Sequence, residues 1–174
     1  MIRRFFCALV ACLCICGGAL AQDTSPTNEM LRLHIVAADD SPAAQALKLQ
    51  LRDTCLRCAE ACLEGAPDAG AAYIRLQKYL PAFRAASEAR ARELGWDGAV
   101  AAETGVFTFP DRIYGGTLVP AGDYRALKIT IGEGAGHNWW CVLYPGLCWQ
   151  DETAGEDPGR ILAWLRSRLG GSKP

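Results

Sequence analysis

The chain has 174 residues, with 18 Lys and Arg against 19 Asp and Glu, and 51% of its residues are apolar. This length fits one domain, and a formal net charge of −1 excludes a nucleic-acid binder that relies on a basic surface. The apolar fraction is that of a chain able to bury a core, which excludes a disordered protein.

Residues 1–21 are predicted to be a secretory signal peptide. Arg3 and Arg4 precede the apolar run Phe5–Cys16, and small residues follow up to Ala21. A basic, an apolar and a small-residue region in this order predict cleavage after Ala21. Two alternatives stay open: an uncleaved membrane anchor, for which the apolar run is short, and a lipoprotein signal at Cys12.

Removal of this leader changes the composition of the chain. It leaves 153 residues with 16 basic and 19 acidic side chains, and five of the nine cysteines. An exported protein can hold disulfides, and an odd number of cysteines means that at least one does not pair within the chain.

A polar linker, residues 22–30, precedes the predicted domain over residues 31–151. The domain opens with a strand at Leu31–Val36. Ser41 and Pro42 then predict the start of a helix that ends at Gly65. Its apolar face is formed by residues at helical spacing, namely Leu47, Leu51, Cys55, Cys58 and Cys62.

A second helix is predicted over residues 71–94. Leu76, either Leu80 or Phe83, and Leu94 are expected to face inward, with Gly95 as the cap. Pro81 interrupts the pattern, so the helix is expected to kink or divide there.

The second half of the domain has the pattern of strands. Residues 106–109, 113–119 and 124–131 are separated by Pro and Gly turns, and Leu127, Ile129 and Ile131 alternate onto one face. Residues 152–174 form a predicted amphipathic helix and tail. The fold class is therefore α+β: an N-terminal strand and two long helices, followed by an antiparallel β-meander and a C-terminal amphipathic helix.

Two motifs resemble binding sites but favour a structural role. Cys55 and Cys58 form a CxxC pair, which is typical of redox and zinc sites, but it lies deep inside a helix and only Cys62 is near it. The glycine-rich run Gly132–Gly136 resembles a phosphate-binding loop, but β-prone residues follow it instead of a helix. Core packing and a loop within the sheet are the favoured interpretations, and no metal or cofactor is predicted.

The candidates for catalysis are few. His34 and His137 are the two histidines, and a structural hydrogen-bonding role is favoured for them. An exported hydrolase acting on cell wall or peptide stays the alternative function, using Cys141 with His137, or Asp123 with Glu133.

An aromatic segment, residues 139–149, is the least ordinary part of the chain. It holds three Trp and one Tyr, and a turn at Pro145 and Gly146 brings Cys141 and Cys148 towards each other. A disulfide between these two cysteines is predicted. Rigid, partly exposed aromatic side chains suit a recognition surface, although simple burial against the helices remains the alternative.

At these residues the chain resembles the stage II sporulation protein R family of endospore-forming bacteria. The resemblance rests on residues 31–42, 45–53 and 131–148, with further similarity at 114–115 and 118–127. The chain departs from the family pattern at Ala37 and Ala38, and at Tyr144, Gly146 and Trp149, where other residues are usual.

The resemblance implies a signalling protein without catalytic activity. It would be secreted into the intermembrane space between forespore and mother cell, where it would activate a membrane-embedded aspartic protease that processes pro-sigma-E. We expect Trp139, Trp140, Asn138 and His137 to contact this protease, and the Cys141–Cys148 disulfide to brace them. Neither nucleic acid nor direct membrane insertion is expected.

Overall fold

The computed structural model describes residues 26–114 and 117–146. The signal peptide, Cys148 and the C-terminal helix lie outside these residues. The helices are α1 (Pro26–Glu29), α2 (Pro42–Leu63) and α3 (Ala69–Glu93). The strands are β1 (Leu31–Val36), β2 (Val100–Phe109), β3 (Arg112–Tyr114), β4 (Thr117–Val119), β5 (Gly122–Ile131) and β6 (Asn138–Tyr144).

The α+β class is confirmed, but the predicted antiparallel β-meander is wrong. Four strands form a mixed sheet in the order β2-β5-β1-β6, so that β1 separates β5 from β6. Strand β1 runs parallel to β5 and antiparallel to β6. All six residues of β1 are buried, as is typical of a central strand that is covered on both faces. Strands β3 and β4 form a separate antiparallel pair.

The two long helices begin and end close to where the sequence predicts. Ser41 caps α2, its hydroxyl accepting the N–H of Ala44 at 3.2 Å. Helix α3 continues through Pro81, so the predicted division does not occur. After its last residue, Glu93, Gly95 adopts a left-handed conformation, and the N–H of Trp96 donates to the carbonyl of Ala91.

The inward face of the helices is largely as predicted. Leu47, Leu51 and Cys55 are buried, and so are Leu76 and Phe83 of α3. Leu94 is an exception, because it is 43% exposed. It follows the last helical residue, where the chain turns away into the C-terminal cap, so the helical period no longer directs its side chain.

Two apolar clusters cover opposite faces of the sheet. Alternation along β1 directs Leu31, Leu33 and Ile35 to the helices, where they join the main core. The other face meets the β3–β4 hairpin, and a smaller cluster forms there from Met30, Phe109, Tyr114, Val119, Tyr124, Ala126 and Val142. Nowhere in residues 26–114 and 117–146 is a helix both long enough and apolar enough to cross a bilayer.

Candidate functional site

Of the four residues predicted to bind a partner, Asn138, Trp139 and Trp140 begin strand β6, and His137 directly precedes it. Strand β6 lies at an edge of the four-stranded sheet. His137 and Asn138 are exposed, whereas Trp139 and Trp140 are half-buried. The structure brings them together as a continuous segment but distributes the two indoles over opposite faces. An edge strand with exposed polar and partly exposed aromatic side chains is suited to contact another protein.

The loop before β6 is fastened to the turn before α2. Oδ1 of Asp40 accepts the backbone N–H of His137 at 2.6 Å and also meets Nδ1 of the same residue. Lys48 reaches the junction from α2, and its Nζ donates to the carbonyl of His137 at 3.0 Å. The loop is thereby held at three points by residues 97 and 89 positions away in sequence.

Close backbone contact requires a glycine in this loop. The N–H groups of Ala135 and Gly136 donate to the carbonyls of Ala38 and Ala37, at 3.1 and 3.0 Å. A Cβ at Gly136 would lie 2.2 Å from the carbonyl oxygen of Asp39, which no real side chain tolerates. The glycine-rich run connects β5 to β6, as predicted, and its amides bind the neighbouring turn.

The two tryptophans have different surroundings. Trp139 faces the helices, where the guanidinium of Arg52 lies 5.4 Å from its ring centroid. Trp140 faces the other side and stacks on His34, with ring centroids 3.8 Å apart and an interplanar angle of 23°. Trp140 also meets Phe109 edge to face at 4.8 Å. Both indoles are therefore held by packing while part of each remains accessible.

His34 is buried, and its burial lowers its pKa below the usual value of 6.5. The side chain of Asn138 acts in the opposite direction, although neither ring nitrogen makes a hydrogen bond of normal geometry. The ring is consequently neutral at pH 7, and its main contacts are with aromatic neighbours.

The helical cysteines are packing residues. Cys55 is buried against Ser87, and burial raises its pKa to about 12. Burial also raises the pKa of Cys62 to about 11 and that of Cys58 in the same direction. A redox CxxC needs the opposite shift, because the thiolate is the reactive form. Within the described parts of the chain, no three His, Cys, Asp or Glu side chains are grouped to hold a metal ion.

The predicted disulfide involves a residue outside the described range. Cys141 is fully buried and faces the helices from β6. Cys148 lies outside the residues that the structure describes, which end at Gly146. The pairing therefore stays a prediction.

The residue pairs of the hydrolase alternative are not brought together. Cys141 lies in the core against the helices, whereas the side chain of His137 is 80% exposed and bound to Asp40. Asp123 is the second residue of β5 and Glu133 lies just beyond its other end, which at roughly 3.3 Å per residue places them on the order of 30 Å apart. Neither pair can act on one substrate atom.

The sequence did not reveal three residues that shape this region. Asp40 and Lys48 hold the loop in place. From the sequence alone, Asp40 is typical of the start of a helix and Lys48 of the solvent-exposed face of a helix. Arg32 alternates with leucines in β1, a pattern typical of an exposed side chain, yet it is completely buried. Their roles follow from contacts with residues distant in sequence: Asp40 and Lys48 bind His137, and aromatic rings of other strands cover Arg32.

Comparison with known proteins gives two matches. A family model described as "Stage II sporulation protein R (spore_II_R)" matches residues 27–154. The stage II sporulation protein R of Bacillus subtilis (strain 168) is 33% identical over 129 residues, which cover 74% of this chain and 58% of that relative. The match thus spans less than two thirds of the relative's length. No solved structure matches the chain.

Proposed function

The chain belongs to the stage II sporulation protein R family, and from this membership we propose that it is a secreted signal between the two compartments of a sporulating cell. In this proposal it activates a membrane-embedded aspartic protease, which then processes pro-sigma-E. The family match over residues 27–154 is the observation that carries the proposal.

The surroundings of β6 support a binding role. His137 and Asn138 are exposed beside two half-buried tryptophans, and the loop that presents them is fastened to Asp40 and Lys48. A surface held in one conformation loses little entropy when it binds. We propose that this segment contacts the extracytoplasmic side of the protease.

Activation sets an energetic condition on this contact. The protein must bind the active state of the protease more tightly than the inactive state, since a ligand with equal affinity for both shifts no equilibrium. Secretion into the intermembrane space is part of the proposal, because the signal peptide would direct the protein to the side on which the protease is exposed.

Co-production in a non-sporulating host tests the proposal. The chain is produced together with the protease and pro-sigma-E, and cleavage of pro-sigma-E is followed by immunoblot. We expect cleavage to rise when the chain is present. Equal cleavage with and without the chain, at matched protease levels and with the chain shown to be exported, would refute the activator function.

A further inference from the structure

Four buried nitrogen atoms lie together on the hairpin side of the sheet. Among the described residues, the buried side-chain nitrogen and oxygen atoms without a hydrogen-bond partner are Nε and Nη1 of Arg32 and both ring nitrogens of His34. The two residues are two positions apart on β1, so their side chains leave the same face of the sheet. The unmet hydrogen-bonding capacity of this part of the protein is therefore concentrated at one place.

Arg32 is surrounded by aromatic rings. Its guanidinium carbon lies 4.2 Å from the ring centroid of Phe109, 5.0 Å from that of Tyr124 and 5.7 Å from that of Tyr114. Nη2 donates to the hydroxyl of Tyr114 at 2.7 Å. The ring faces stabilise the positive charge, but they leave the Nε and Nη1 hydrogens without an oxygen acceptor.

His34 lies beside the aromatic rings that surround Arg32. It meets Phe109 edge to face with centroids 5.9 Å apart and stacks on Trp140 at 3.8 Å, and these two rings also contact each other at 4.8 Å. Arg32 and His34 thus both contact the ring of Phe109. Trp140 is only half-buried, whereas Phe109, Tyr114 and Tyr124 are buried, so Trp140 is the partly exposed ring of this group.

A buried guanidinium without a counter-ion is costly. A buried donor without an acceptor destabilises the folded state, and a buried charged group does so more strongly. In the described parts of the chain, Arg32 makes no ion pair with a carboxylate, because the ion pairs there involve other residues. A group that offers oxygen lone pairs and one negative charge would satisfy both donors.

We propose that Arg32 and His34 form a binding site for a single carboxylate group. Its two oxygens would accept Nε–H and an Nη1–H of Arg32, and one of them would also accept the N–H of the neutral His34 ring. A carboxylate is favoured over a phosphate because it is planar, as the guanidinium is, and carries one charge to match one arginine. Displacement of Trp140 would admit it.

The carboxylate has two conceivable sources, a free small acid or an acidic side chain of a protein. Acetate represents the first, and an N-acetylated glutamate amide represents the second. Acetamide and the corresponding glutamine derivative have similar shapes but no charge. Comparison of the two carboxylates with their uncharged counterparts distinguishes recognition of a carboxylate from binding of any small molecule at this site.

The test is a titration of the ¹⁵N-labelled full chain, followed by NMR at constant ionic strength maintained with chloride. We expect acetate to shift the Nε–H signal of Arg32 saturably, and acetamide to leave it unchanged. A response to the glutamate derivative that exceeds the response to acetate would identify a protein side chain as the source. Equal shifts with acetate and acetamide, or none with either carboxylate, would overturn the proposal.

Two variants locate the site. Arg32→Lys keeps the charge but loses the planar pair of donors, and His34→Phe keeps a ring stacked on Trp140 but loses the nitrogens. We expect each to weaken acetate binding about tenfold, measured on the backbone amides of β1, including that of position 34. Undiminished binding by both variants would refute the assignment.

Arg52→Lys is the matched control for these variants. Arg52 is already paired with Asp53 at 2.7 Å, so this change should leave acetate binding as in the wild type. Because the wild-type titration needs neither test variant to fold, it decides the proposal by itself if they do not.

Discussion

Asp40 binds His137 twice, through the backbone N–H and through Nδ1 of the ring, and so joins the loop before β6 to the turn before α2. Both partners of this junction are exposed at their side chains. The junction therefore acts by fixing the course of the backbone, and not by burying surface.

This junction predicts that the stability of the fold depends on pH in the acidic range. The hydrogen bonds from the backbone and ring of His137 hold the pKa of Asp40 below its usual value of 3.8. The stabilisation is therefore complete above about pH 4 and is lost as the pH falls through the lowered pKa. We expect Asp40→Asn to reduce the melting temperature at pH 7 and to flatten its decline below pH 4, as measured by thermal denaturation between about pH 2.5 and 7.

Glu133→Gln is the control for this measurement, because Glu133 is an exposed carboxylate in the same loop. It should leave the pH profile near that of the wild type. A profile for Asp40→Asn that runs parallel to the wild-type profile would show that the junction does not contribute.

The loop should not accept a side chain at Gly136. A Cβ there would meet the carbonyl of Asp39 at 2.2 Å, so Gly136→Ala must displace backbone. We expect a loss of about 1–3 kcal/mol in the free energy of unfolding, as overpacking causes. Urea denaturation measures it.

Gly105→Ala is the matched change in β2, where a Cβ would approach only the end of the Phe107 ring. It should cost less than Gly136→Ala. Equal stability of the two variants would be inconsistent with the contact between the loop and the turn.

The helical thiols should react slowly in the folded protein. Because burial raises the pKa of Cys55 to about 12 and that of Cys62 to about 11, little thiolate is present at about pH 8. We expect iodoacetamide to modify Cys55, Cys58 and Cys62 more slowly than it modifies free cysteine, and all three to react rapidly in urea. Peptide mapping by mass spectrometry gives the rates. Fast alkylation of Cys58 in the native protein would instead support a redox role.

Substitution of Asn138 can distinguish a role in contacting the protease from a role in folding. Its side chain is exposed at the start of β6 and makes only a weak contact with His34, so Asn138→Ala should change the melting temperature little. If this segment contacts the protease, cleavage of pro-sigma-E in the co-production assay should fall about tenfold, as for a central contact residue. Gln77→Ala, an exposed change on α3, is the control. Wild-type cleavage with Asn138→Ala would remove Asn138 from the contact.

Pro81 is exposed inside the continuous helix α3, where it removes a backbone donor. We expect Pro81→Ala to raise the free energy of unfolding by about 1–3 kcal/mol, because alanine restores the missing hydrogen bond and favours helix. Lys78→Ala, at another exposed position of α3, should change stability little. A destabilised Pro81→Ala protein would contradict this expectation.

Local patterns in the sequence predicted local structure well. The spacing of Leu47, Leu51 and Cys55 identified the buried face of α2, and Ser41 and Gly95 marked helix ends that the structure confirms. These features depend on neighbours within a few residues, so a single sequence contains them.

Strand order was not predictable in this way. No feature of the β1 sequence indicates that β5 and β6 lie on either side of it. These strands follow β1 in the sequence by about 90 and 110 residues. The burial of Arg32 was missed for the same reason: its alternation with Leu31 and Leu33 resembles a solvent-facing side, and the rings that cover it come from the distant strands β2, β3 and β5. The aromatic segment was recognised, but the opposite directions of its two indoles follow from its pairing with β1.

The central place of β1 has a consequence for how the chain folds. This strand is synthesised first in the domain, yet neither of its partners exists until residues 122–144 have been made. Helices α2 and α3 can form early from local contacts, whereas the sheet must close long loops and is expected to form slowly. A chain that crosses a membrane from its N-terminus would therefore emerge with β1 unpaired, and it would acquire its sheet only after most of the domain had passed through.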